Sequence, residues 1–397
     1  LENLEMKKTL VALAALASVS AFAQSSVTIY GTLDVGQVKL SGQQAGINNT
    51  TNTYAASQSS TGLANVFARQ GTGTNNMGFR GTEDLGGGNY AGFDLQTGGL
   101  DTATGAPALA FSRESNLKLG GTWGELKVGR SVSTLCSIGC SFDYNYIGSG
   151  SAYAIQGLSV ASNKGSSRRS DQIEFTTPSM NGFTGKVSLQ QRGDQNADGT
   201  FVTNGGAAYT STSTMGGTGT TVDNYKSVYA YGGTYVQGPL RVAAAVETNG
   251  SDSPALRNAK FMAAEYNFGV VKANVQSFTN ANKSAWTDAA GAAQSKTGQT
   301  ALSTNTGTTT YGKGTGISLI APVGAWNFGV QYVKNTEQST KATELFARYS
   351  LSKRTEIYAY NTRVSGATAV TAVATSSNSL GLTALPADPS ITAVGIR

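Results

Sequence analysis

Histidine is absent from the 397 residues. With it goes the usual base for a hydroxyl or thiol nucleophile, which leaves only rarer Ser-Lys or carboxylate schemes for acyl transfer. The two cysteines, Cys136 and Cys140, cannot alone complete a zinc shell. No P-loop, paired-carboxylate motif or metal cluster is visible either, so neither catalysis nor a metal or cofactor is expected. Charged residues make up only 13%, prolines number 7, and no apolar run is long enough to cross a bilayer as a helix. What is abundant is 50 Gly, 17 Tyr and 14 Phe, together with Thr and Asn, a mixture that favours β structure over helix. Charge this sparse is unusual for a soluble all-β protein of this size, and a membrane barrel becomes the leading class.

Residues 1–23 read as lying outside the fold. Met6 is followed by Lys7-Lys8, an apolar stretch 10–19 and Ala21-Phe22-Ala23 before Gln24, the pattern of a secretory signal with its cleavage site. Residues 1–5 precede that start and are read as upstream of the initiator, so the mature domain is 24–397. The two lysines and two glutamates removed cancel, and the net charge stays at +6. An exported chain with unclustered basic residues gives no reason to expect nucleic acid as a partner.

Alternation of apolar and polar residues marks the strands. In 26–36, Val27, Ile29, Leu33 and Val35 share one face, and Thr28, Tyr30, Thr32 and Asp34 share the other. The same period recurs at 75–82, 90–96, 109–120, 123–130, 168–177, 182–192, 225–236, 239–248, 258–268, 270–279, 313–321, 324–334, 341–350, 354–363 and 389–397. Sixteen strands result, an even number as bacterial barrels require. Tight turns at 120–123, 178–182, 237–239, 267–269, 322–324 and 352–354 alternate with long Gly-, Ser-, Thr- and Asn-rich connections, as in an outer-membrane barrel. The connections 39–72, 193–224 and 280–312 read as solvated coil. Trp123, Phe175, Phe183, Tyr266, Phe268, Trp326, Phe328 and Tyr349 recur beside the short turns and suit an interfacial girdle. One stretch stands apart, 131–167, about 37 residues without clear periodicity between two strands, long enough to be functional. Cys136 and Cys140 both fall in it. A disulfide between them is permitted by export and closes if Gly139 bends the chain, whereas a regular helix would hold the sulfurs poorly.

Three motifs carry a family resemblance: Met77-Gly-Phe-Arg-Gly-Thr-Glu-Asp-Leu-Gly-Gly-Gly88, Leu117-Lys-Leu-Gly-Gly-Thr-Trp-Gly-Glu-Leu-Lys-Val-Gly-Arg130 and the final Ala393-Val-Gly-Ile-Arg397. They resemble the trimeric general porins of Gram-negative bacteria, in their β-proteobacterial branch, across the whole mature chain. The resemblance implies an all-β, 16-stranded antiparallel transmembrane β-barrel, three per trimer, whose third loop folds inward to narrow the pore. Position makes 131–167 that constriction loop. It further implies basic wall residues opposite the loop: Arg80 from the Gly-Phe-Arg-Gly motif, and Arg168 from the pattern that here reads Arg168-Arg-Ser-Asp-Gln-Ile-Glu-Phe175. Alternation places both on the inner face. Arg113 matches a third family arginine, but its parity is that of Leu117 and Leu119, and it points inward only if a bulge intervenes. Lys118, Lys127, Lys186 and Lys272 also fall on inner faces. Family members continue about three residues beyond Gly-Ile-Arg to a terminal aromatic read by the assembly machinery, while this sequence ends at Arg397, with Thr392, Val394 and Ile396 as the outward set.

The expected function is a passive diffusion channel for small hydrophilic solutes and ions, an integral protein of the outer membrane. Its expected partners are two further copies, outer-membrane lipid and lipopolysaccharide, and the assembly machinery. Between 131 and 170 the only acid is Asp143, against Lys164, Arg168 and Arg169, so the narrow zone is expected to favour anions. The alternative is a structural or adhesive barrel whose long loops bind partners.

Overall fold

The computed structural model describes residues 26–43, 64–68, 75–98, 110–145, 151–156, 168–191, 201–202, 208–209, 227–248, 257–280, 312–337, 339–366 and 387–397. The expected signal segment 1–23 and most of the long connections lie outside the described residues. The strands are β1 (Ser26–Thr32), β2 (Val35–Gln43), β3 (Ala64–Ala68), β4 (Asn76–Gly86), β5 (Asn89–Gly98), β6 (Ala110–Gly121), β7 (Gly124–Val132), β8 (Arg168–Thr176), β9 (Phe183–Gln190), β10 (Phe201–Val202), β11 (Ala208–Tyr209), β12 (Val228–Gln237), β13 (Leu240–Glu247), β14 (Ala259–Asn267), β15 (Lys272–Thr279), β16 (Lys313–Val323), β17 (Trp326–Asn335), β18 (Thr340–Ser350), β19 (Glu356–Ser365) and β20 (Ala387–Ile396). Eighteen form one sheet, antiparallel throughout, and β10 with β11 forms a separate hairpin.

The first expected strand and the connection 39–72 differ from the sequence reading. The first is interrupted at Leu33-Asp34, so that β1 pairs with β4 while β2 pairs with both β3 and β20. Asp34 explains the break: its backbone N–H donates to Asn75 Oδ1 in place of a ladder carbonyl, and its carboxylate is tied to the seam by accepting from Tyr358 Oη at 2.6 Å. Five residues of the second, read as coil, form β3, and β2 likewise runs on into it to Gln43. The hairpin β10–β11 falls in the connection 193–224, also read as coil.

Period-2 alternation divides the sheet into an apolar and a polar face. Leu117, Val128, Val187, Val275, Ile317 and Leu345 are exposed on the first. Beside the short turns that face carries aromatic groups: Trp123 stacks on Phe175 at 6.1 Å, Tyr266 meets Phe268 at 4.7 Å, and Trp326 contacts Phe328 and Tyr349. The turns are tight enough to need glycine with positive φ, at Gly238 and Gly324.

Residues 131–167 are not uniformly irregular. β7 runs to Val132, a helix covers Thr134–Gly139, a 3-10 turn Cys140–Phe142, and a short helix Ala152–Ile155. Ser133 caps the first helix, its Oγ accepting from Cys136 N–H at 3.2 Å. Gly139 does not bend the chain: it stays right-handed helical at φ −102°, Cys140 N–H donates to Cys136 O, and the two cysteines bond from positions i and i+4 of this helical turn with their Cα atoms 4.9 Å apart. Leu135, Ile138, Phe142 and Tyr153 are buried with Ala243, Ala245, Phe261, Ala263, Phe278 and Val333 of the polar face. Small and apolar inner residues on β13–β16 make room for this segment. A Cβ at Gly316 would lie 2.3 Å from the Tyr153 ring.

Candidate functional site

The polar face is built in two parts. Across β9 and β12–β18 it is covered by residues 134–145 and 151–156, held at each step by wall side chains. Thr134 Oγ1 donates to Glu174 at 2.7 Å, and Asn274 and Gln276 donate to Phe142 O at 2.9 and 3.2 Å. Arg241 lies 3.9 Å over the Phe142 ring, donates to Ser141 Oγ at 3.0 Å and pairs with Glu265, which accepts from Tyr144 Oη. Gln331 is fully buried beneath the segment. Its amide nitrogen donates to Asp143 and to Glu344, both at 2.9 Å, and its oxygen accepts from Tyr144 N–H at 3.1 Å and Ser318 Oγ at 3.0 Å. Asn335 donates to Gln156 O, and Ala152 N–H to Glu344.

Asp143 is therefore an anchor of this contact. It accepts from Ser151 Oγ, Gln331 and Asn145 N–H. Burial holds its carboxyl above the ordinary aspartate range, against the opposing pull of those donors.

The polar face of β4–β9 carries the expected cations. Arg80 is exposed and lies 5.1 Å over the Tyr30 ring, with Thr28 and Asp94 as its register partners. Arg113 meets the condition set for it: the register shifts between Gln96 and Gly98, and Arg113 Nε donates to inner-face Gln96 Oε1 at 2.9 Å. At β8 strict alternation fails. Asp171 adopts φ 50°, adding a residue between Gln172 and Arg169, so the register sets Arg169 opposite inner-face Ser131. Arg169 pairs with Glu247, a partner that alternation missed. Arg168, at the strand's first position, still brings its Nε to 3.6 Å from Glu114. Lys127 and Lys186 share Glu174 at 2.8 and 3.4 Å. Lys118 is the register partner of Lys127, and Lys272 stands exposed at the first position of β15.

Beyond Asp143, the one acid within 131–170, the wall sets carboxylates near its arginines and lysines. Asp94, Glu114 and Glu174 sit among them, with Asp94 accepting from Tyr30 Oη. Glu125, which accepts from Tyr90 Oη, and Asp84 share that face, so Arg80, Arg113, Lys118, Lys127, Arg168 and Lys186 exceed its five carboxylates by one. A signal for the covered half was present in the sequence. Ala243, Ala245, Phe261, Ala263 and Phe278 fall at inner positions, and strands apolar on both faces need a cover on each.

A sheet with an exposed apolar face, aromatic groups along its short-turn rim and a charged opposite face is the wall of a membrane-spanning pore. The description "Gram-negative porin" matches residues 9–369, and the chain belongs to that family. It is 30% identical over 274 residues to outer membrane porin protein 32 of Delftia acidovorans, covering 67% of this chain and 68% of that protein. It is 31% identical over 247 residues to an outer membrane porin protein of Bordetella pertussis, covering 60% of this chain and 58% of that protein. Among solved structures, the anion-selective porin from Comamonas acidovorans aligns with a TM-score of 0.63 at 21% identity, over 94% of this chain and 99% of that one, a likeness of fold. The chain is an outer-membrane porin.

Proposed function

We propose that three copies of this chain assemble as a trimer of 16-stranded barrels, each a passive channel for small hydrophilic solutes and ions that prefers anions. Several pairings support closure. Taking β1 with β2 and β3 with β4 as single strands gives sixteen, and β2 pairs with β20 on one side and β3 on the other. Tyr358 bridges the same seam to Asp34. In this reading residues 131–167 are the constriction loop, applied to the β9–β18 half of the wall and leaving the lumen open along β4–β8.

The observation that carries the anion preference is the charge of that open half. Its six arginines and lysines outnumber Asp84, Asp94, Glu114, Glu125 and Glu174, and fixed charge in a narrow pore sorts ions by sign. Solute passage needs no energy source and no catalyst, so the protein is not an enzyme. Outer-membrane lipid and lipopolysaccharide surround it, and the outer-membrane assembly machinery inserts it. Planar-bilayer recordings test the proposal: stepwise currents linear in voltage are expected from purified protein. Assembled protein that conducts nothing would instead favour a structural or adhesive barrel.

A further inference from the structure

The apolar face ends differently at its two rims. At the short-turn rim its outward residues are aromatic. At the opposite rim, on β14 and β16–β19, the outward rows end in Lys260, Lys313, Lys334, Lys341 and Arg363, all exposed. Each continues an apolar row: Lys260 stands two residues from Met262, Lys313 four from Ile317, Lys334 two from Tyr332, Lys341 four from Leu345 and Arg363 six from Ile357, all of them exposed. The parity is that of the outward face in every case, so these cations do not line the lumen.

Register brings them together. Lys334 and Lys341 are directly opposite, a like-charged pair whose Cβ atoms are about 5 Å apart and which is unfavourable by itself. Lys313 is two positions from Thr315, the partner of Lys334, and Arg363 is the partner of Thr343, two from Lys341. Both are diagonal neighbours within roughly 7–8 Å. Lys260 and Lys313 are both partners of Thr279. Among the described residues none of these five forms an ion pair. The carboxylates at this rim are Glu337, held at both oxygens by Arg257, and Asp388, two residues before Ser390, the partner of Arg363. On β6, β12 and β13 the outward row near this rim holds Phe111, Tyr229 and Val246, and Arg130, alone on the outward row of β7, gives its guanidinium to Ser112 O and Ser170 Oγ, so the clustered cations are those of β14 and β16–β19.

We propose that Lys313, Lys334, Lys341 and Arg363, with Lys260 beside them, bind the phosphates of a membrane lipid whose acyl chains lie on the apolar rows beneath. Charge complementarity selects the occupant: four clustered cations at headgroup level, directly above lipid-facing side chains, match a headgroup bearing more than one phosphate. A free phosphate could meet the cations but would leave that apolar surface unused. The inference rests on the reading of the sheet as a membrane wall and deepens the proposed lipopolysaccharide contact by giving it a site.

Native mass spectrometry of the detergent-solubilised protein, titrated with bisphosphorylated lipid A and with the same lipid stripped of both phosphates, tests it. A basic residue at an anionic lipid surface contributes about 1 kcal/mol, so each loss should weaken binding about fivefold. The variant K313Q/K334Q/K341Q/R363Q should lose about a hundredfold or more, down to the affinity of the dephosphorylated lipid, while its single-channel conductance equals that of the parent. Should this variant not insert, Lys334→Gln and Lys341→Gln singly should each show the fivefold loss. Equal affinity of the parent for the two lipids, undiminished binding by the variants, or displacement of the lipid by excess inorganic phosphate would overturn the site. A parent that neither inserts nor conducts would instead strike the channel reading.

Discussion

Replacing Gln331 with leucine keeps the volume of the side chain and removes every contact its amide makes beneath the covering segment. Two of the four hydrogen bonds go to Asp143 and Glu344, and two come from Tyr144 N–H and Ser318 Oγ. Bonds to charged groups are worth about 1.5–3 kcal/mol and neutral ones about 0.5–1.5, so the loss is about 4–9 kcal/mol. Two buried carboxylates would also lose the donor between them. The strand ladder from β16 to β18 does not involve this side chain, so the loss should fall on docking of residues 134–145 and 151–156 rather than on the sheet. Expected are assembled trimers with raised or strongly fluctuating single-channel conductance. Ser318→Ala, which removes two neutral bonds, to Gln331 Oε1 and Tyr153 Oη, should lose about 1–3 kcal/mol and fall between the parent and Gln331→Leu. Conductance and noise unchanged by Gln331→Leu would refute the account of how the segment is held.

Leu117→Arg puts a charge among outward Phe93 and Val128 and should cost about 2–4 kcal/mol in urea titrations of the vesicle-inserted protein, whereas Thr32→Arg, on the polar face, should be tolerated; equal costs would mean the faces are misassigned. Tyr358→Phe keeps the ring over Gly36 and Gly395 but loses the bond to Asp34, and a drop of about 1.5–3 kcal/mol with unchanged denaturant slope is expected. No drop would remove Tyr358 from the seam. For Asp143, whose proton is held more tightly when buried, docking gains from protonation: it is strongest below the ordinary value near ~3.9 and weakens as pH rises through the raised one. Channel noise should therefore rise with pH in the parent and rise less in Asp143→Asn, which keeps the buried Glu344 that also holds the segment; noise that falls with rising pH contradicts the sign.

Much of the wall was legible because its two faces meet different solvents. Lipid on one side and a charged lumen on the other impose strict alternation, and the ranges of β5 to β9 and β12 to β20 match the sequence reading to within about three residues. Alternation fails where one residue is added, at Asp171, and there the inner position passes to Arg169. At Leu33-Asp34 parity holds but the ladder breaks, because Asn75 and Tyr358 supply bonds from 41 and 324 residues away. Parity fixes a face but not a neighbour, so Glu114 beside Arg168 and Glu344 beside Asp143 had no signal in spacing. The long segment was recognisable by its lack of period. Its course across the wall was written in other strands, in Gly316 under Tyr153 and the alanines of β13.

Anion preference is the central claim, and the reversal potential of single channels in a salt gradient reads it directly. The parent should reverse at the sign of anion selectivity, by an amount that shrinks as total salt rises and the Debye length falls below the ~8 Å of physiological salt. Replacing Arg80 and Arg168 together with serine removes two positive charges from the open half of the wall and leaves the outward rows intact, so the trimer should assemble and its preference should move toward neutrality or reverse. A parent that is already cation-selective would contradict the account at its root, and a double variant whose reversal potential does not move would place the charge filter elsewhere on the wall.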